Sequence, residues 1–353
     1  MTRSITRVGA AAAASLLLVA VIAAPALACG GLIGPNGAVN LLRTTTFAGY
    51  HDGTEHYVTA FQFAGGGGAF GSLTPLPGIP SSVEKGGDWT LQRLIRETDP
   101  PVPQASFLFA AGAAQRDSAE ELMKVKIDAL DITVLRGGAA QVGQWATDHG
   151  FRLPPDGPEV LDFYATRSPI FLAAAFDADA AAARGQSVGD GTPVHITIPT
   201  ANPWVPLRIL ALGKTGNEQV QADVYLMTDH APALLPAPDV RNGMTLDHSA
   251  PASTSLLDDL RSDRGMEWVP TSAWLSKIAL DASAPRLTFD LAVDTSGAGA
   301  PSRVAAGLEL PGTPGSNDLA RWLAGLTFTI GGIGGILLLI RRRPAGSGGM
   351  TPA

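Results

Sequence analysis

The sequence holds one cysteine, Cys29, so no disulfide can form within the chain. Aromatic residues are scarce at 6%, which argues against the stacking platform that single-strand and glycan binders use. No H-E-x-x-H pair and no P-loop occurs, so the commonest zinc-protease and nucleotide signatures are missing. No repeat of fixed period is visible, which excludes propellers and solenoids. The 41 Gly and 27 Pro therefore mark turns, loops and linkers and not a fibre.

Positive charge is also short where it counts. The formal net charge is -7, yet both ends are basic: Arg3 and Arg7 near the start, and Arg341, Arg342 and Arg343 near the end, with no acid beside them. Removing those five from the 25 basic residues leaves 20 against 32 acidic ones, near -12 for the part between. An acidic surface of that kind argues against nucleic acid and against anionic lipid as partners. Hydrophobic residues make up 45% of the chain, enough for a substantial core.

What is present is clearest at the two ends. A short basic region, an apolar run from Leu16 to Ala24 and the small-residue motif Ala26-Leu27-Ala28 predict a signal peptide over residues 1–28, cut between Ala28 and Cys29. The charge-free stretch from Trp322 to Ile340 spans roughly 28 Å as a helix, close to the hydrocarbon core of a bilayer. Arg341, Arg342 and Arg343 follow at once and place residues 341–353 in the cytoplasm. The predicted location is thus the cell membrane, crossed once with the N-terminus outside. Cys29, at the predicted new N-terminus, is also where a lipoprotein would carry its lipid, although Ala26 and Leu27 depart from that pattern.

Between the anchors the pattern predicts an extracytoplasmic α+β domain, strand-dominated, over residues 29–294. A Gly/Pro/Ser-rich stalk over 295–321 is expected to follow. Runs at 40–50 and 55–63, separated by His51-Asp52-Gly53-Thr54, predict a β-hairpin. Residues 70–80 are proline-rich and predict an extended edge or polyproline segment, not a central strand. Asp88 is a candidate cap for a helix running to Thr98, and Ser118 with Glu121 has the spacing of a capping box. A half-buried strand is expected over 124–135 and a helix over 139–149, stopped by Gly150. Runs at 170–176, 194–199, 207–212, 220–227 and 286–293 read as further strands.

Candidate chemistry rests on histidine. His51 and His56 flank the hairpin turn beside Asp52 and Glu55, a nitrogen and oxygen set that a metal ion could use. Asp229-His230 and Asp247-His248 pair an acid with an imidazole, as a general base requires. His149 suits a helix C-terminus, and His195 alternates along a strand. Gly66-Gly67-Gly68-Ala69-Phe70-Gly71 fits G-x-G-x-x-G, but prolines occupy the place of the helix that a nucleotide needs, so no nucleotide or other cofactor is expected.

The segment Ala28-Cys29-Gly30-Gly31-Leu32-Ile33-Gly34-Pro35-Asn36-Gly37-Ala38 opens a recognisable order. Glu55-His56-Tyr57-Val58, the Phe70 to Pro80 stretch and Trp204-Val205-Pro206-Leu207-Arg208-Ile209 follow it. Together they resemble an exported bacterial family catalogued as domain of unknown function 2330. The resemblance implies a secreted or membrane-anchored protein and supplies no catalytic positions. Its members often pair cysteines near the N-terminus; here only Cys29 is available, so that pairing does not carry over. The leading expectation is a non-enzymatic surface protein that binds an envelope component or partner. The alternative is a metal-dependent or hydrolytic enzyme outside the cytoplasm.

Overall fold

The computed structural model describes residues 31–35, 37–38, 44–62, 69–99, 121–183, 191–296 and 299–312. Two compact units divide the chain after Leu308, and the second contributes only residues 309–312 to this set. The first unit is a strand-dominated α+β body built on three sheets.

One sheet contains β1 (Gly31–Gly34), β2 (Gly37–Ala38), β5 (Phe70–Leu76), β7 (Glu121–Ile127), β8 (Leu130–Arg136) and β9 (Ile170–Phe176). Their order is β2-β1-β5-β9-β8-β7, antiparallel throughout. A seven-stranded sheet contains β3 (Thr44–His51), β4 (Thr54–Gln62), β6 (Ser82–Lys85), β10 (Gly191–Pro199), β12 (Gln219–Thr228), β14 (Met244–Pro251) and β15 (Trp274–Ser283). Here the order is β14-β15-β12-β3-β4-β10-β6, and only β3 and β12 run parallel. The third sheet joins β11 (Trp204–Val205), β16 (Leu291–Asp294) and β13 (Ala233–Leu235). The helices are α1 (Thr90–Thr98), α2 (Ala139–Asp148), α3 (Gly157–Ala165), α4 (Ala178–Ala183) and α5 (Thr254–Ser262).

Side-chain alternation on the seven-stranded sheet sends residues into two separate cores. Ala48, Tyr57, Ile196, Val224, Leu226 and Ile278 join the larger core, which also holds Leu73, Ile132 and Phe171 of the six-stranded sheet and Trp145 of α2. Phe47, Val58, Tyr225, Met227 and Leu275 point the other way. They pack with Leu91 and Leu94 of α1 and Leu256, Leu257 and Leu260 of α5. At about 1.5–3 kcal/mol for each fully buried large aliphatic or aromatic side chain, this second core is what holds the two helices on the sheet.

The predicted hairpin forms, with a two-residue turn in place of a four-residue loop. Asp52 and Gly53 have φ of 48° and 75°, the paired positive values that match the right-handed twist of the flanking strands. Strand Ile170–Phe176 and helix Ala139–Asp148 also lie where periodicity puts them, with Gly150 at φ 76° past the helix end.

Several local expectations are corrected by tertiary context. Residues 70–76 form the central strand β5, buried along its whole length; β1 pairs only with Gly71–Leu73, so Pro75 lies where the ladder continues on one side alone. Glu121 starts a strand, not the first turn of a helix, and residues 121–136 are two strands joined at Asp128, whose φ is 54°. Asp88 does not cap α1. No side chain caps its first turn; the Asp263 carboxylate, from beyond α5, instead holds the approach to it, accepting from the backbone N–H of Asp88 and Trp89 and from the Thr90 hydroxyl at 3.1, 3.2 and 2.7 Å. Residues 208–211 form a 3-10 turn and not a strand, and the expected strand at 286–293 shortens to Leu291–Asp294.

The folded unit also continues past Asp294, where the sequence pattern ended it. Ala305 and Ala306 are buried, Ala306 O accepts from the Asp290 N–H, and Ala305 O accepts from Arg167. Among the described residues no helix is long and apolar enough to cross a membrane, and Trp322 to Ile340 lie outside them.

Candidate functional site

The β3–β4 hairpin carries most of the candidate chemistry, and its register decides which groups meet. His51 pairs with Thr54 and Gly49 with His56, so His51 and His56 project from the same face as Phe47 and Val58. Glu55, one residue from His56, projects from the opposite face with Tyr57.

On the first face, β10 adds His195 beside β4. His195 Nε2 lies 3.0 Å from His56 Nδ1, and the two rings are tilted by 27°. Trp268 covers His56, its ring centroid 3.9 Å away and its plane nearly parallel to the imidazole. The turn that delivers Trp268 passes over His195 as well: Gly265 has φ 72°, and a Cβ there would lie 3.2 Å from His195 Nδ1. Burial pushes His56 down to about 3, helped by the neighbouring His195 and His51. It pushes His195 down to about 4 against an opposing pull from Glu267. Both rings are therefore neutral over the physiological range.

On the second face, the Glu55 carboxyl is 1% exposed and neither oxygen has a hydrogen-bond partner. Desolvation raises it to about 8; the Trp204 N–H lies close enough to temper the shift without making a hydrogen bond of normal geometry. Glu55 borders a small recess with Tyr50, Trp204, Val205, Thr228 and Val293, whose internal space of about 10 Å³ suits one water-sized group. The two hydroxyls there are already committed: Tyr50 donates to Thr200 O at 2.9 Å and Thr228 to His230 O at 2.6 Å.

The structure redistributes the residues singled out in the sequence. His51 Nδ1 meets Asp229 Oδ1 at 2.7 Å and its Nε2 meets Asp52 Oδ2 at 3.4 Å, while His56 turns to His195; the pair does not share a ligand position. Asp229 thus serves His51 and not its neighbour His230. Asp247 accepts from the Thr245 hydroxyl, and His248 sits at a bulge in the edge strand β14. His149 ends α2, with Nδ1 2.8 Å from Trp145 O. Among the described residues no three His, Cys, Asp or Glu side chains converge as a ready metal cage. Ala28, Cys29, Trp322, Ile340, Arg341, Arg342 and Arg343 lie outside the described residues, as do Gly66 to Gly68.

Gly185-Gln186-Ser187-Val188-Gly189 fits the spacing of a G-x-S-x-G nucleophile elbow. An elbow runs from strand to helix, whereas here α4 precedes and β10 follows. The pentapeptide itself lies outside the described residues.

The motifs behind the family resemblance meet in space. Gly31 approaches Leu212 and Ile209 so closely that a Cβ would fall 2.6 Å from the Leu212 side chain. Glu55 lies against Trp204, and β5 pairs with β1. Leu207 and Arg208 donate their N–H groups to Asp290, and the Arg208 guanidinium reaches Glu159 at 2.5 Å. These residues build one packing node at the junction of the sheets.

The chain belongs to a class of uncharacterised proteins conserved in bacteria. The chain is a member of the family described as domain of unknown function 2330, which matches residues 23–248. No curated protein matches the sequence. Among solved structures the chain is similar to baculovirus P35, with a TM-score of 0.36, 10% identity, and coverage of 72% of this chain and 96% of that one. A mutated baculovirus P35 after caspase cleavage gives 0.34 at 8% identity, covering 71% and 99%. P35 in complex with caspase-8 gives 0.33 at 10% identity, covering 71% and 90%. Likeness at this level defines neither a shared fold nor a shared function.

Proposed function

We propose that this protein is a single-pass membrane-anchored component of the bacterial cell envelope whose outer domain binds an envelope component. The leader pattern ending at Ala28, the charge-free stretch from Trp322 to Ile340 and the arginines at 341–343 support the anchoring and its direction. One observation carries the binding reading: Glu55 is a buried carboxyl with both oxygens unpaired at the wall of a recess. An unpaired buried polar group costs stability, so its retention at a recess fits a group kept for a partner. With room for one water-sized group, the recess takes the tip of a larger molecule, an amine or a hydroxyl. Because Tyr50 and Thr228 already donate to backbone carbonyls, the site is arranged for recognition and not for activating a nucleophile.

The test uses the full chain purified in detergent and titrated with soluble glycan and peptide fractions of the envelope, followed by intrinsic fluorescence. Saturable binding that Glu55→Ala weakens tenfold or more, with the fraction recovered intact, is the expected result. Turnover of the fraction, or binding indifferent to Glu55, would overturn the reading. External protease digestion of whole cells checks the anchoring, which requires the outer domain to be shaved off and residues 341–353 to stay protected.

A further inference from the structure

We propose that His56 and His195 form a two-imidazole site for a borderline divalent transition-metal ion, Cu²⁺ foremost, roofed by Trp268. The site lies on the opposite face of the sheet from Glu55 and stands independently of the binding function above.

Geometry carries the proposal. Antiparallel pairing of β4 with β10 sets the two residues diagonally on one face, and their nearest ring nitrogens approach to 3.0 Å. Two imidazole nitrogens bound cis to a square-planar Cu²⁺ at about 2.0 Å stand roughly 2.8 Å apart, and two bound to a tetrahedral ion at about 2.0–2.1 Å roughly 3.3 Å apart. The present contact lies between the two, so a shift of a few tenths of an ångström turns it into a bidentate clip. In the metal-free pair one ring donates a proton to the other; on binding, that proton moves to the outer nitrogen of the same ring, and the balance is kept.

The surroundings supply further groups that suit an ion. Trp268, stacked on His56, offers a π-face to an adjacent cation. Glu267 is exposed, precedes Trp268 and acts on His195 electrostatically, which adds negative charge near the pair. Imidazole donors select copper, nickel and zinc over magnesium and calcium, with copper the tightest of the divalent series.

The experiment takes the metal-free full chain in detergent and titrates it with Cu²⁺, Ni²⁺, Zn²⁺ and Mg²⁺. Tryptophan emission is followed together with the electron paramagnetic resonance of the Cu²⁺ form. The expected result is one-to-one binding with Cu²⁺ tightest and Mg²⁺ silent, quenching that is lost in Trp268→Phe, and nitrogen hyperfine structure from two imidazoles. His56→Asn and His195→Asn should each weaken Cu²⁺ binding tenfold or more, while His248→Asn, a half-buried control on the edge strand β14, should leave it unchanged. Near-UV circular dichroism of the variants shows whether they keep the fold. If either unfolds, the hyperfine pattern of the unaltered chain decides alone: two imidazoles support the site, and one or none overturns it. Equal Cu²⁺ binding in wild type and both folded histidine variants also overturns it.

Discussion

Trp268 lies flat on His56, with ring centroids 3.9 Å apart and planes 4° from parallel. The same indole covers Gly49, the residue paired with His56 across the hairpin, and a Cβ at position 49 would fall 2.1 Å from Trp268 Cη2. Glycine at 49 is what allows the ring to reach the imidazole. Gly49→Ala should therefore lift the indole and lower stability by about 1–3 kcal/mol, the usual cost of overpacking. Urea unfolding measures it, and the informative variant is the double one. Once Trp268→Ala has removed the ring, Gly49→Ala should cost little, and strict additivity of the two changes would sink the explanation.

Glu55 makes stability fall as pH rises. Its folded value, raised to about 8, lies above the ordinary 4.5, so its contribution is fully present below pH 4.5 and is lost as pH climbs toward 8. From about pH 7.5, one unit above the ordinary histidine value, to pH 8 the imidazoles of His56 and His195 are mostly neutral both folded and unfolded, so Glu55 dominates the slope there. The expected slope is about 1.4 kcal/mol per pH unit. Glu55→Gln, which cannot ionise, should flatten the profile of urea midpoints across this window. An unchanged slope in the variant means the carboxyl is not held neutral.

The histidine pair acts with the opposite sign. Folded values of about 3 and about 4 lie below the ordinary 6.5, so stability is present above pH 6.5 and is lost as pH falls below it. Each ring contributes about 1.4 kcal/mol per pH unit while only the unfolded chain takes up the proton. Acid unfolding of the Glu55→Gln background isolates this loss between pH 6.5 and 4.5. His195→Gln should shift the acid midpoint to lower pH relative to its own neutral-pH stability; a parallel shift of the whole curve would instead indicate a packing effect alone.

Local sequence made part of this arrangement legible. Asp-Gly between β-branched runs specified the hairpin because two successive positive φ values demand it, and the hairpin put His51 and His56 on one face. What it could not specify was the third strand. His195 is 139 residues from His56, and nothing in the alternation of β10 states that it lies beside β4. The same limit explains the approach to α1, which is held by Asp263 from far along the chain while the nearby Asp88 does not cap the helix. The Phe70 to Pro80 stretch misleads for a different reason. Proline is unfavourable in a central strand only where both edges are paired, and β1 stops short of Pro75.

Asp290 shows where composition is the poorest guide. Residues after 294 are rich in Gly, Ala, Ser and Pro, yet Asp290 and Arg167 tie them to the body. The fully buried Asp290 carboxylate accepts from the Tyr164 hydroxyl and from the Leu207 and Arg208 N–H groups at 2.8, 2.8 and 3.0 Å. Its other oxygen accepts from Arg167 Nη2 at 2.6 Å, and Arg167 Nη1 donates to Ala305 O, also at 2.6 Å. Asp290→Asn keeps the shape but leaves the Arg167 charge buried without a counter-ion, which should cost about 3–5 kcal/mol. Because Arg167 also grips Ala305, the loss should appear first around the exposed Arg303. Trypsin should cut the variant after Arg303 under conditions where the rest of the body stays intact, and cut the wild type there far more slowly. Equal cleavage rates, with a stability loss under about 1 kcal/mol, would mean that Asp290 is not what holds this segment in place.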